Sequence, residues 1–224
     1  MKVALFDFCD TIVSFQTANA FVEYAIYRFK SRRVFYLLYK LVNKTKLISS
    51  FYYFFIGHGA SKRIPLLFLK GIEKNELERI AHDFYIERIR PNFIIPVLEQ
   101  IKKLQAEGNT TIIVSGGYSI YIVYFAKEYG IDCVLANEIL YRKNRCAGKY
   151  GEECMGRNKV ARLASFLPLN EIDYLRSWAF TDDKSDVPLL ELVQNKVVVS
   201  KGGHQDWAES LVNYEEIIFG VELK

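Results

Sequence analysis

The chain has 224 residues, is half hydrophobic and a quarter charged, and carries a formal net charge of +4. This is the composition of a folded globular protein, long enough for one sizeable domain, or one domain with an insertion, that needs no staple. Four cysteines without a CxxC pair, and three scattered histidines (His58, His82, His204), exclude a zinc site built on local spacing and make a reducing, cytoplasmic setting the expectation. No apolar run reaches the ~18 residues of a membrane span. Lys2 followed by a short run stopped by Asp7 does not read as a signal peptide.

Residues 2–6 (KVALF) read as a short buried strand. From about residue 18 to residue 88 the rhythm is helical: Phe35, Leu38, Tyr39 and Val42 recur at i, i+3, i+4 and i+7. Gly57 and Gly59 punctuate that stretch, Gly71 ends another part of it, and Asn75 is placed to cap a helix running toward Arg88. Pro91 and Pro96 bracket the start of a further helix that stops at Gly108. Then strands and helices alternate. TTIIV (110–114) reads as a strand, SIYIVYFAKEYG as a helix closed by Gly130, and DCVLA as a strand. EILYRKNRCAGKY reads as a hairpin turning at Lys143–Asn144, and RNKVARLASFL as a helix. WAFT (strand), DVPLLELVQ (helix) and KVVVS (strand) complete the series.

Short apolar strands alternating with helices imply a parallel sheet covered on both faces. The strand at 2–6 is separated from the others by about seventy helical residues, far more than a crossover needs. The economical reading is an α/β, Rossmann-like core formed by residues 1–13 and 89–224, with a helical insertion at 14–88. Charge marks the insertion as different in kind. Residues 14–58 balance to +6 against −2 for the remainder, and hold 13 of the 33 aromatic residues.

Open α/β sheets bind ligands at the carboxyl ends of their strands. Strand 2–6 is followed by Asp7 and Thr11; strand 110–114 by Ser115, Gly116 and Gly117; strand 178–181 by Asp182, Asp183 and Asp186. Lys159 stands near the start of the helix before the last of these. Each piece alone is ordinary, since strand-end acids and Ser-Gly-Gly usually make turns and helix caps. Together they are the inventory of phosphoryl transfer: a carboxylate nucleophile, oxygen donors for Mg²⁺, and a cation, hydroxyl and amides for the charge on phosphorus.

In order and spacing these residues resemble the haloacid dehalogenase (HAD) superfamily. The closer resemblance is to subfamily IB, phosphoserine phosphatase-like hydrolases with a helical C1 cap after the first motif. LFDFCDTIV resembles the DxDxT motif, TTIIVSGGYSIYI the second motif, GRNKVARL the third and WAFTDDKSDVPLLELV the fourth. The stretch CMGRNKVARL also resembles a subset that includes lipid-phosphate phosphatases. The resemblance implies Asp7 as nucleophile, with Thr11, Ser115, Gly116 and Lys159 on the phosphate. It implies Mg²⁺ held by Asp7, the Cys9 backbone carbonyl and Asp182, with Asp186 supporting that shell. The implied substrate is a small phosphorylated metabolite or a lipid phosphate. Thr181 stands where many relatives carry Gly, a departure expected to matter little.

Cys9 departs from the family in a larger way. The second Asp of DxDxT is the family's general acid and base, and here a thiol of ordinary pKa about 8.5 replaces it. Three expectations follow: Asp10 bends back and substitutes; the substrate has a good leaving group; or the protein is a weakly active or non-catalytic binder. The resemblance also makes the insertion a cap that selects substrate, with Thr17, Asn19, Lys62 and Arg63 as candidates to face the site. Its basic, aromatic stretch 21–56 is open to several readings: a buried helical core with a solvated basic face, a peripheral contact with anionic membrane, or an oligomer interface. A nucleic-acid surface is not expected, because no recognised module accompanies it.

Overall fold

The computed structural model describes residues 1–43 and 60–220. Strands β1 (Val3–Phe6), β2 (Thr110–Tyr118), β3 (Cys133–Asn137), β6 (Trp178–Thr181), β7 (Asn195–Lys201) and β8 (Tyr214–Phe219) form one sheet; β4 (Ile139–Arg142) and β5 (Arg145–Tyr150) form a separate antiparallel hairpin. The sheet is parallel throughout, in the order β3-β2-β1-β6-β7-β8. The central strand VALF is fully buried because both its faces are covered. Ala4 and Phe6 join Ile113 and Phe180 in one apolar cluster, while Val3 and Leu5 join Ile112, Ala179, Leu163 and Leu189 in the other. That is the two-residue alternation of a strand between two helical layers.

The helices are α1 (Thr17–Ile26), α2 (Lys30–Asn43), α3 (Ala60–Leu67), α4 (Lys74–Phe84), α5 (Ile95–Ala106), α6 (Ser119–Tyr129), α7 (Arg157–Phe166) and the short α8 (Val187–Leu190). Left-handed Gly130 (φ 65°) ends α6, and the β4–β5 turn places Lys143 and Asn144 at φ 48° and 60°, the geometry of a tight hairpin. The segment between β1 and β2 lays its helices on α6. Phe21 of α1, Phe84 of α4 and Tyr121 of α6 pack ring on ring at centroid distances of 5.3–5.5 Å.

Several expectations need correction. β2 continues through Ser115, Gly116 and Gly117 to Tyr118 rather than ending at residue 114. Gly117 serves close packing rather than a turn: a Cβ there would lie 2.9 Å from the Tyr121 hydroxyl and 3.3 Å from Thr17 Oγ1. Helix α4 starts at Lys74 with Glu73 before it, so Asn75 is not its cap, and it passes into a π turn at Tyr85–Ile89. The helix after β6 is shorter than its apolar run implied, and β8 is an additional strand.

The helical period around residue 35 is real but its face is misassigned. Phe35 and Leu38 are exposed; Tyr36 is the buried anchor, and both Tyr36 and Tyr39 pack on Phe68, at 5.3 and 5.4 Å. Arg32 locks the same side by donating to the Phe68 and Lys70 carbonyls. The side chain of Val42, together with Gly57 and Gly59, lies outside the described residues.

Candidate active site

Chain order reverses at β1. From there the chain builds β2 and β3 on one side, then crosses to β6, β7 and β8 on the other. The β1–β6 boundary is therefore the crevice where an open parallel sheet exposes its strand ends. The register pairs Phe6 with Phe180, so Asp7 stands opposite Thr181, one residue before Asp182, and both acids emerge at that boundary. The Asp7 amide donates to the Phe180 carbonyl, fixing the first residue past the strand.

Around this crevice charges are buried together. Lys159 Nζ lies 3.2 Å from Asp7 Oδ1 and 2.5 Å from Asp186 Oδ2, and all three side chains are nearly inaccessible. Burial of an ammonium ordinarily favours its neutral form, but the two carboxylates overcome this and hold Lys159 charged, its pKa above the ordinary value. Among the described residues Asp182 has no such cation. Burial, then the Asp7 charge, push its pKa up to about 8, although Thr11 Oγ1 donates to it at 3.0 Å. Asp7 and Asp182 are two acids in mutual repulsion at a cavity that Cys9 also lines; carboxylate oxygens are what Mg²⁺ takes, and a cation between them would relieve that repulsion. Among the described residues no group of three or more His, Cys, Asp or Glu is disposed around a metal position. Any ion here would therefore use two carboxylates, with backbone oxygen and water completing its shell.

A small cavity of about 40 Å³ opens on this cluster, enough for a few waters. Asp7, Cys9, Gly116, Lys159, Asp182, Asp183 and Asp186 line it, so most of the strand-end candidates meet at one place. Thr11 and Ser115 stand behind the wall, fully buried; Ser115 Oγ accepts from the Gly117 amide at 3.1 Å. Asp10 does not line the cavity. It adopts φ 50°, so the chain does turn there, but its carboxylate accepts from Gln16 Nε2 at 2.7 Å. Burial raises its pKa, against the lowering effect of the Gln16 bond.

Gln16 was not among the sequence candidates, yet it lines the cavity, as does Met155. Thr181 was also undervalued. Its hydroxyl donates to Asp186 Oδ2 at 2.7 Å and accepts from the Asp183 amide at 3.2 Å, so it shapes the turn that carries the acids. Its position directly before Asp182 was the available signal. Cys9 Sγ is 2.9 Å from Thr17 Oγ1, which is 2.8 Å from the Tyr121 hydroxyl, which in turn accepts from the Tyr118 amide. This buried chain reaches a tyrosine whose pKa burial raises well above the ordinary value, and it ties the thiol to α1 and α6.

Of the cap candidates, Thr17 alone is seen at the site, behind Cys9 rather than facing the cavity. Asn19 is on the surface. Arg63 lies 4.8 Å over the Tyr150 ring and borders a different cavity, with Glu152 and Arg162. The Lys62 side chain lies outside the described residues.

Known proteins bear out the architecture. The sequence profile of haloacid dehalogenase-like hydrolase matches residues 4–191. The chain is 29% identical over 124 residues to the phosphoserine phosphatase of Streptococcus thermophilus, covering 55% of this chain and 54% of that one. It is 25% identical over 137 residues to the histidinol-phosphatase of Neisseria meningitidis serogroup C, covering 59% and 62%. These matches thus span between half and two thirds of the curated relatives' lengths. A crystal structure of a protein with unknown function from Bordetella pertussis Tohama I superposes with a TM-score of 0.74 at 20% identity, over 88% of this chain and 89% of that one, and so shares the fold. Strand order, buried acids and profile agree: the chain belongs to the haloacid dehalogenase-like hydrolases.

Proposed function

We propose that the protein is a Mg²⁺-dependent phosphomonoester hydrolase, with residues 14–88 acting as a cap over the strand ends. The observation that carries this reading is the buried Lys159 ammonium held between Asp7 and Asp186, beside Asp182, which no salt bridge among the described residues reaches. Asp7, the Cys9 carbonyl and Asp182 would hold the metal, with Asp186 and Thr181 keeping their positions. The metal would neutralise charge on the phosphoryl oxygens.

Asp7 attacks phosphorus; the ester P–O bond breaks and its electron pair leaves on the alcohol oxygen, giving an aspartyl-phosphate. Water then attacks phosphorus, its proton passes to a base, and inorganic phosphate leaves with the Asp7 carboxylate restored. Lys159, with the Gly116 backbone, offsets charge on the transferring group, and Ser115, behind the wall, fixes that backbone by accepting from the Gly117 amide. In a cavity this small the phosphoryl end is enclosed, and the rest of the substrate extends toward Gln16 and the cap.

The thiol of Cys9 is committed to Thr17, so the proton steps need another residue. Asp10 is the candidate this chain offers. As folded, Asp10 stays outside the cavity, bonded to Gln16, whose side chain borders it; for Asp10 to protonate the leaving oxygen and later accept the water's proton, that pair must shift toward the cavity when substrate enters.

The relatives are named for two different small phosphomonoesters, so the proposal commits to that class and to neither compound. The test is a Mg²⁺ and EDTA comparison over phosphoserine, histidinol phosphate, p-nitrophenyl phosphate and phosphatidate, the last covering the lipid-phosphate alternative. Turnover should require Mg²⁺ and fall by at least ~10³-fold in Asp7→Asn; activity surviving that change would mean the site is elsewhere. Asp10→Asn should cost about 10²-fold. If it costs nothing, the leaving group itself carries the charge, and the rate will depend steeply on leaving-group pKa.

A further inference from the structure

Helix α2 is turned inside out. Its sequence, KSRRVFYLLYKLVN, has four basic residues and no acid. Tyr36 faces inward at 4% exposure, while Val34, Phe35, Leu37, Leu38 and Leu41 are exposed at 58, 66, 44, 54 and 65%. At about 100° per residue, Val34, Leu38 and Leu41 share a sector roughly 60° wide, with Leu37 and Phe35 on its two sides. Arg33 and Lys40 border the Leu37 edge, and Lys30 stands at the start of the same face. Arg33 lies 4.4 Å over the Tyr27 ring, and Lys40 reaches Glu23 at 2.9 Å, which leaves the helix strongly basic.

A contiguous apolar stripe of this kind marks an interaction surface. We propose that α2 docks on an anionic lipid surface: Phe35, Leu38 and Leu41 enter the boundary between headgroups and acyl chains, and Lys30 and Arg33 meet the lipid anions. Charge decides between the occupants. A two-fold contact with a second copy would set α2 near its own image, cations against cations with no acid on either helix. A bilayer bearing negative headgroups meets the apolar stripe and the basic border together. Among the described residues no helix is long and apolar enough to cross a membrane, so the contact would be peripheral. The proposal stands whether or not the protein hydrolyses phosphoesters.

The test is co-sedimentation of the full chain with vesicles of phosphatidylcholine and phosphatidylglycerol in equal parts, against phosphatidylcholine alone. Binding is expected to the anionic vesicles at low salt, with release at ~0.5 M NaCl. The double variant Phe35→Glu/Leu38→Glu should bind at least ~10²-fold more weakly, the low end for losing two inserted side chains. Its Tm should stay within about 1 °C of the parent, because both positions are exposed. No binding to anionic vesicles at low salt overturns the proposal, and so does binding that the double variant retains. A dimer in sedimentation velocity that the same variant dissociates, without vesicle binding, assigns the face to a second copy and overturns it as well.

Discussion

The strand-end cluster and helix α2 invert the usual rule in opposite directions. At the cluster, Asp7, Lys159 and Asp186 are charged groups withdrawn from water, joined by contacts of 3.2 and 2.5 Å. On α2, Phe35 and Leu41 are apolar groups left in water at 66 and 65% exposure. A buried charge is tolerable only when a partner is already in place, and here the partner lies within the chain. Among the described residues the apolar stripe meets no internal partner, which is why an external one is proposed for it. The Lys159 ion pairs are satisfied within the fold; the stripe would be satisfied only in a complex. Substitutions should therefore hurt the first region through stability and chemistry together, and the second through association alone.

The largest effect expected is from Lys159→Met. It leaves Asp7 and Asp186 buried and facing each other without a cation, which should cost about 3–5 kcal/mol and lower Tm by roughly 10 °C. Phosphatase turnover should fall by about 10²–10³-fold. Adding Asp186→Leu should recover part of the lost stability and none of the activity, a non-additivity readable in a double-mutant cycle. Full additivity would mean the two groups are not coupled and would remove the first half of the comparison.

The two regions were also unequally legible in the sequence. Asp7, Lys159 and Asp182 could be found because each follows a short apolar strand or opens a helix, and strand ends converge in this fold class. The full extent of β2 could not, since Gly116 and Gly117 read as a turn when nothing shows Tyr121 pressing on the backbone. β8, YEEIIF, is an edge strand with two acids in its middle, too polar to stand out from a tail. On α2, periodicity fixed which residues share a face but not which face meets Phe68. The contact of Cys9 with Thr17, and of Thr17 with Tyr121 more than a hundred residues away, is a tertiary accident of packing that spacing does not encode.

A contrast within α2 sharpens the comparison. Tyr36→Ala removes the ring packed on Phe68 and should cost about 2–4 kcal/mol. Leu41→Ser, on the outer face of the same helix, should fall within about 0.5 kcal/mol of the parent. Urea titrations of the two variants measure this directly. A costly Leu41→Ser would show that the outer face is covered within the monomer.

Cys9→Asp probes the cluster by adding charge rather than removing it. Thr17 Oγ1, now 2.9 Å from the thiol, can donate to the new carboxylate, so the side chain enters with a partner. With Asp10 supplying the proton, turnover of alkyl phosphates should change by less than about tenfold in Cys9→Asp alone, and Cys9→Asp should restore most of the ~10²-fold lost in Asp10→Asn; aryl phosphates should change little. A ~10²-fold gain in Cys9→Asp alone would mean that Asp10 does not supply the proton.

The smallest effect is expected where charges cluster on the surface. His204 lies between Glu216 Oε1 at 2.8 Å and Glu209 Oε1 at 3.3 Å, nearly as close as the contacts around Lys159 but in solvent. The Glu216 hydrogen bond raises its pKa despite slight desolvation. A histidine that binds its proton more tightly when folded stabilises the fold fully below its unfolded pKa of about 6.5, and loses that contribution as pH rises through the raised value. The Tm difference between parent and His204→Gln should accordingly be largest below the unfolded pKa of about 6.5 and fade as pH rises through the raised value. Even at its maximum it should stay under about 2 °C, because solvent screens the exposed pair. A shift there as large as that of Lys159→Met would mean that burial is not what separates the two clusters, since the distances are alike and exposure is the variable that differs.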